Sequence, residues 1–292
     1  MARPCIDVAA WIPLGSLTLG LRSLRARLRR LDAMALGIAC RTITWGDDQR
    51  ARFAEVFRAS ARAGYQGLEI GFRHIQETPP EDLLGMLGEH GLQLVASHVG
   101  GNLQDRAQAT SERRMLDVVL DYLDAMDTRL LMYSGLMCED AEQFERDLEI
   151  LGEAADQCRN RGVQLLYHNH DWELANDGRI IDALLEGFGA ELGFCPDIGW
   201  VMKGSADAVA LLERMGERVG AMHLKDFATE GPDLDTVMLG KGVAPLKEAA
   251  AWAAKRRPGI WLIAEQDEAD VTPAEAIEQN AEYMKQVVAD VQ

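Results

Sequence analysis

The stretch 140–170, "DAEQFERDLEILGEAADQCRNRGVQLLYHNH", contains the structural unit that is repeated along the chain. Its first part has apolar residues at helical spacing and ends in a glycine, a common signal for the C-terminus of a helix. Its second part, "VQLLYHNH", is a short apolar run with the length of a buried parallel strand. The stretch therefore predicts a helix followed directly by a strand.

The same alternation of apolar runs and helix-like segments continues over the chain from residue 36 onward. Eight runs have the length and boundaries of buried strands: "LGIACRTI" (36–43), "GLEIG" (67–71), "LQLVASHV" (92–99), "RLLMYSG" (129–135), "VQLLYHNH" (163–170), "LGFCPD" (192–197), "VGAMHLKD" (219–226) and "IWLIAEQD" (260–267). Alternating strands and helices form parallel sheets, and eight such units predict an α/β fold, a single-domain (β/α)8 TIM barrel. A doubly wound open sheet is the alternative, but no G-x-G-x-x-G follows the first strand.

The amino-acid composition limits which binding partners and which cellular compartment we expect. The formal charge of −17 over 292 residues disfavours binding to phosphate backbones and anionic lipid surfaces. No run of about 18 apolar residues suggests a transmembrane helix. The five cysteines are scattered without a C-x-x-C pair, which fits a reducing compartment. We therefore expect a cytoplasmic protein with neither a nucleic-acid nor a membrane partner, and leave homo-oligomer formation open.

A basic segment precedes the regular part of the chain. In "LRSLRARLRRLD" (21–32), leucines recur at helical spacing among arginines, the pattern of a basic amphipathic helix. We interpret residues 1–35 as an N-terminal extension outside a barrel of residues 36–292. The alternative interpretation is an arm that binds a partner or a membrane.

Histidines and carboxylates stand at or just after the predicted strand ends, where TIM barrels carry their chemistry. Four of the six histidines stand at these positions. The polar residues there are Glu69, His98, His168, His170, Asp197, His223, Lys225 and Glu265. Imidazole nitrogens and carboxylate oxygens that converge from several strands are the ligands of a divalent metal. We expect one ion of Mn, Co, Mg or Zn, with Asp197, His223 and Glu265 as ligands.

Several stretches also resemble a known family: "YHNHDWEL" (167–174), "CPDIGWVMKGSADAVALLERMGERVGAMHLKD" (195–226), "LGKGVAPLKEA" (239–249) and "WLIAEQD" (261–267). They resemble the xylose isomerase-like TIM barrels of sugar phosphate isomerases and epimerases, the group that includes inosose dehydratases and ketose 3-epimerases. The resemblance extends over residues 36–289. It implies one divalent metal held by residues of strands five to eight, and it implies Asp197, His223 and Glu265 as three of the ligands.

The fifth strand departs from the similar ketose 3-epimerases, which have a metal-binding Glu there and a second Glu six residues later. If Glu173 matches the later residue, Tyr167 occupies the ligand position. The fourth ligand is then expected from His170 or Glu173, and less readily from His168.

The resemblance implies an isomerase, epimerase or dehydratase that acts on a keto-sugar or keto-cyclitol. Such a reaction begins with proton abstraction next to a carbonyl and passes through a metal-stabilised enediolate, and it requires no nicotinamide. The alternatives are a nuclease resembling endonuclease IV and a non-catalytic sugar-binding barrel. The candidate catalytic residues are Glu265, Glu173, His170 and Lys225. The candidate substrate-binding residues are Glu69, His98, His168 and Trp200.

Overall fold

The computed structural model describes residues 35–100, 109–230 and 235–291, so all but the last residue of the predicted N-terminal extension lies outside the described residues. A single sheet contains the barrel strands, which are β1 (Gly37–Arg41), β2 (Gly67–Gly71), β3 (Gln93–Gly100), β4 (Leu130–Ser134), β5 (Gln164–His168), β6 (Leu192–Cys195), β7 (Ala221–Leu224) and β10 (Trp261–Ala264). Between β7 and β10, the short strands β8 (Asp226–Phe227) and β9 (Thr236–Val237) pair with each other antiparallel.

The barrel sheet is parallel and nearly closed. Its strands follow the order β6-β5-β4-β3-β2-β1-β10-β7. The two end strands, β6 and β7, meet through isolated bridges between Phe194 and Val219 and between Asp197 and His223. The N–H of Gly220 also donates to the carbonyl oxygen of Phe194 at 3.0 Å. The predicted (β/α)8 TIM barrel is confirmed.

Helices surround the sheet and cover its outer face. They are α1 (Phe53–Ala63), α2 (Phe72–Ile75), α3 (Pro80–Gly88), α4 (Ala109–Ala125), α5 (Ala141–Asn160), α6 (Ala175–Gly187), α7 (Ile198–Lys203), α8 (Ala208–Met215), α9 (Leu246–Arg256) and α10 (Pro273–Val291). Within the described part of the chain, no helix is both long and apolar enough to cross a membrane.

The stretch quoted at the outset forms α5 and β5. Asp140 caps the helix, because its carboxylate accepts a hydrogen bond from the N–H of Gln143 at 2.8 Å. The apolar face of the helix buries Phe144, Leu151 and Cys158 against the outside of the sheet. Gly162 then adopts a φ of +70°, which turns the chain into β5.

An apolar layer fills the inside of the barrel and sets the position of the polar residues above it. The layer includes Ala39, Ala96, Leu166, Cys195, Ala221 and Ile263. Side chains alternate between the two faces of a strand, so the residue two positions further along points inward again, nearer the C-terminal mouth. Those next residues are Arg41, His98, His168, Asp197, His223 and Glu265. The strand period thus brings charged and imidazole groups together at the mouth.

Asp226 holds the connection between β7 and β10 against the barrel. Its Oδ1 accepts hydrogen bonds from the N–H groups of Phe227 and Ala244, both at 3.0 Å. Its Oδ2 accepts from the N–H groups of Gly240 at 2.9 Å and Gly242 at 3.0 Å. A Cβ at Gly242 would lie 2.1 Å from the carbonyl oxygen of Phe227, so only glycine allows this close approach. One buried carboxylate therefore fixes the second half of the connection.

We expect Asp226→Asn to lower the free energy of unfolding by about 1 to 3 kcal/mol, because an amide NH2 would replace one acceptor oxygen and face two backbone donors. Asp235→Asn is the matched control, since Asp235 lies in the same connection and is exposed. Urea denaturation of both variants measures the difference. Equal stability of the two variants would contradict this role of Asp226.

Candidate metal centre

Four buried side chains converge at the C-terminal mouth of the barrel. His168, Asp197, His223 and Glu265 each offer one nitrogen or oxygen atom, and these atoms all lie within 4.8 Å of one another. They come from the ends of β5, β6, β7 and β10. The exposed fraction is 0% for the first three residues and 3% for Glu265. Two imidazoles and two carboxylates form a set of donors suited to a divalent ion.

Several donor atoms of this cluster lack a protein partner. Within residues 35–100, 109–230 and 235–291, no hydrogen-bond partner is found for either ring nitrogen of His168, for Oδ2 of Asp197 or for Nδ1 of His223. The last atom lies 2.5 Å from Oε2 of Glu265, without the alignment of a hydrogen bond. Buried polar atoms are normally paired, because an unpaired one costs free energy. A cation bound between them would satisfy these atoms together.

The surroundings adjust the charges of the cluster. Burial lowers the pKa of His168 well below its usual value, so its ring is neutral and available as a ligand. Burial raises the pKa of Asp197 to about 6. Burial alone would raise the pKa of Glu265, but Arg41, Lys225 and His223 hold it well below its usual value. Burial would likewise lower the pKa of His223, but Cys195, Glu69 and Glu265 raise it well above normal. The space between the carboxylates of Glu69 and Glu265, where His223 lies, therefore favours positive charge.

Glu69 orients His223. Its Oε2 lies 2.7 Å from Nε2 of His223, which leaves Nδ1 directed toward the cluster. A carboxylate that receives the second N–H of a metal-binding histidine is a common arrangement, because it fixes the ring orientation. Glu69 is fully buried, and its Oε1 also lies 3.4 Å from both Arg41 and His98. Glu69, a candidate substrate-binding residue, thus directs its carboxylate to these three side chains.

Glu265 is surrounded by cations. Its Oε2 lies 2.6 Å from a guanidinium nitrogen of Arg41, and its Oε1 accepts a hydrogen bond from Nζ of Lys225 at 2.9 Å. Lys225 also donates to Asp267 at 2.7 Å, and its Nζ lies 4.7 Å from the centre of the Trp200 ring. Burial would lower the pKa of Lys225, but Glu265, Asp197 and Asp267 raise it. Lys225 is 1% exposed, and its ammonium group contacts the cluster at Glu265.

The fifth strand supplies His168 to the cluster, whereas the sequence analysis favoured His170 or Glu173. The two carboxylate oxygens of Glu173 are already occupied. One accepts from the hydroxyl of Tyr167 at 2.8 Å, and the other accepts from the backbone N–H of His170 at 2.7 Å. The strand ends at His168, and the chain turns there, so the alternation of side chains does not extend to His170. The geometry therefore groups His168, and neither His170 nor Glu173, with the other three side chains, and we propose His168 as the ligand from the fifth strand.

His170 forms part of the wall beside the cluster. Its ring lies 4.9 Å from that of His168 and stacks on Trp172 with centroids 4.2 Å apart. Its side chain is 23% exposed, and its Nδ1 lies 3.8 Å from Oε1 of Glu173. Trp200 stands on the other side, with its ring centre 5.7 Å from that of His170. His170 is thus more accessible to a ligand than the buried members of the cluster.

A cavity of about 490 Å³ opens next to the cluster, where Arg41 and His98 line its inner end. Arg73 and Gln49 also line it. Burial lowers the pKa of His98 to about 4, so its ring is neutral, and its Nε2 lies 3.1 Å from the Ser134 hydroxyl. Arg41 stands two positions beyond the inward-facing Ala39, so the strand period accounts for its place at the mouth.

A polar cluster at the C-terminal mouth of a closed (β/α)8 barrel places the chain in the class of TIM barrels with a potential metal centre. The chain belongs to the xylose isomerase-like TIM barrel family, whose model matches residues 57–287. It is 26% identical over 222 residues to an inosose dehydratase of Geobacillus kaustophilus, with 68% of this chain and 71% of the relative covered.

Solved structures share the fold. A sugar phosphate isomerase/epimerase from Parabacteroides distasonis aligns with a TM-score of 0.73 at 19% identity, covering 88% of this chain and 96% of that one. A xylose isomerase-like TIM barrel protein from Mycobacterium smegmatis in complex with magnesium aligns with a TM-score of 0.70 at 13% identity, covering 88% and 97%.

We expect Asp197→Asn and Glu265→Gln to reduce the bound divalent metal, because each removes an anionic oxygen from the cluster. Glu173→Gln is the matched control: it should leave metal content unchanged, because both Glu173 oxygens are held by Tyr167 and His170. Elemental analysis after dialysis gives the stoichiometry. Loss of metal from Glu173→Gln, or its full retention in the other two variants, would contradict the proposed ligand set.

Proposed function

We propose that the protein is a divalent-metal-dependent enzyme that isomerises, epimerises or dehydrates a keto-sugar or keto-cyclitol. The observation that carries this proposal is that, within the described residues, neither ring nitrogen of His168 nor Oδ2 of Asp197 has a hydrogen-bond partner at the barrel mouth, where they lie beside His223 and Glu265. A divalent ion held there with Glu265 would polarise a substrate oxygen and make the neighbouring C–H bond more acidic. The similarity to an inosose dehydratase supports the class of substrate.

His170 is the residue best placed to accept the proton. Its imidazole is partly exposed beside the cluster, whereas Glu173 is fully buried with both oxygens occupied. After His170 takes the proton, the carboxylate of Glu173, 3.8 Å from Nδ1, stabilises the imidazolium by charge. Tyr167 and the backbone N–H of His170 fix that carboxylate in place. Glu173 is therefore a positioning residue in this proposal, and His170 is the base.

Lys225 and Arg41 neutralise Glu265 and thereby keep its carboxylate ionised and oriented toward the cluster. The remaining members of the wall suit a polyol. His98 and Ser134 offer hydrogen bonds, and the rings of Trp172 and Trp200 offer apolar faces for the C–H groups of a sugar.

The charges of the cavity favour an uncharged substrate over a phosphorylated one. Arg41 is paired with Glu265 and Glu69, and Arg73 donates to Asp47 at 2.9 Å. Both guanidinium groups of the cavity are therefore already neutralised by carboxylates. A phosphate group would have to compete with these ion pairs, whereas hydroxyl groups can bind beside them.

The proton-abstraction step predicts exchange with solvent. With an inosose or a ketohexose in deuterated water, the wild-type protein loaded with Mn²⁺ should introduce deuterium at the carbon next to the carbonyl, without added nicotinamide. His170→Gln should slow this exchange by about 100-fold or more, because the base is lost, while metal content stays unchanged. Nuclear magnetic resonance of the recovered substrate measures the exchange.

Four outcomes would contradict the proposal or its assignment of the base. Exchange or turnover that continues after complete removal of metal would exclude the proposed role of the cluster. Sugar binding without exchange or turnover would support a non-catalytic barrel, and cleavage of abasic DNA by the same protein would support a nuclease. Exchange that is unchanged in His170→Gln would move the base to another residue.

A further inference from the structure

Cys195 lies directly beneath the cluster, in the apolar layer that fills the barrel. It is fully buried and precedes Asp197 on the same inward-facing row of β6, roughly 6.6 Å lower along the strand. Its backbone pairs in register with His168 of the neighbouring strand. The cysteine therefore stands one layer below Asp197 and next to the strand that carries His168.

The thiol and the two histidines form a second set of donors. One ring nitrogen each of His168 and His223 and the Sγ of Cys195 lie within 4.8 Å of one another. Among the residues that the structure describes, both ring nitrogens of the fully buried His168 lack a hydrogen-bond partner. The two ring nitrogens of His168 point in different directions, and each can serve as a metal ligand. The barrel mouth contains two overlapping donor sets that share both histidines.

We propose that His168, Cys195 and His223 form an alternative site for a thiophilic cation such as Zn²⁺ or Cd²⁺, one layer below the oxygen-rich site of the proposed function. Thiolate and imidazole ligands prefer soft and borderline metals, whereas Mg²⁺ and Mn²⁺ prefer carboxylate oxygens. The identity of the ion thus decides which donor set it occupies. The two sites exclude each other, because both need Nδ1 of His223, whose Nε2 already lies 2.7 Å from Oε2 of Glu69.

Binding in the lower site requires small movements and the loss of a proton. Two ligand atoms on one zinc ion lie roughly 3.3 to 3.8 Å apart, so the three side chains would close by up to about 1.5 Å. The Sγ–H bond of Cys195 breaks as the bond from Sγ to the metal forms, and the proton passes to the solvent buffer. The neighbours of Cys195 in the layer, Leu166 and Ala221, are apolar and offer no competing ligand.

The lower site has a consequence for activity, and this part rests on the proposed function. A soft ion bound to Cys195 withdraws His168 and His223 from Asp197 and Glu265. Zn²⁺ or Cd²⁺ would then inhibit the enzyme that Mn²⁺ activates, by competing for shared ligands. The experiment below does not depend on turnover, so it separates failure of this inference from failure of the proposed function.

The direct test is ultraviolet spectroscopy of chelator-treated full-length protein titrated with Cd²⁺. A bond between a thiolate and Cd²⁺ produces a charge-transfer absorption that nitrogen and oxygen ligands do not produce. We expect this band in the wild type and in Cys158→Ala, whose buried thiol lies on α5 away from the mouth. We expect it to be absent from Cys195→Ser. Absence of the band from the wild-type protein overturns the inference without any variant. A band of equal strength in Cys195→Ser also overturns it.

Asp197→Asn provides the second measurement. Because Asp197 belongs only to the upper set, its replacement should weaken Mn²⁺ binding by about tenfold or more while the Cd²⁺ band remains. Cys195→Ser should have the opposite pattern, with Mn²⁺ binding retained and the Cd²⁺ affinity reduced by about tenfold or more. Calorimetric titration of each ion gives the affinities. Parallel losses of both ions in both variants would mean one site, and would overturn the inference.

Discussion

The arrangement of the barrel mouth depends on the ion pairs of the buried Glu265 carboxylate. A buried carboxylate is stable only where cations and hydrogen-bond donors surround it, because transfer of a charge out of water is expensive. Arg41 from β1 and His223 and Lys225 from the end of β7 meet this need within 2.5 to 2.9 Å. Together with Glu265 at the end of β10, these residues come from three adjacent strands. The ion pairs of Glu265 therefore also fix the mutual position of β1, β7 and β10 at the mouth.

Much of this arrangement follows from the period of a strand. The eight apolar runs predicted the barrel because alternation of strands and helices leaves few other packings, and the structure has the same strands in one sheet. The three predicted ligands Asp197, His223 and Glu265 lie in the cluster for the same reason, since each stands two positions beyond a residue of the apolar layer. This strand-period rule requires only that the inward-facing residues of each strand are assigned correctly.

The rule fails where the chain turns away from the direction of the strand. His170 is two positions beyond His168, but the chain has turned by then, and its ring lies in the wall instead of the cluster. The partners of Glu173 were equally out of reach of sequence reasoning, since the bond from Tyr167 depends on the path of that turn. Asp226 is a further case. Four backbone N–H groups donate to its carboxylate, three of them from residues 14 to 18 positions further along the chain, and no local sequence pattern predicts such an arrangement.

The anchoring by Asp226 divides the connection between β7 and β10 into two parts with different tolerance to change. Residues 240–244 are held by its carboxylate, while the small antiparallel pair of β8 and β9 brings Ala228 and Asp235 together through a hydrogen bond of 3.1 Å. Since the ends of the intervening segment are already joined, its length can change with little entropic cost to the barrel. Ala228 and Asp235 are therefore natural junctions between which a new sequence can be grafted.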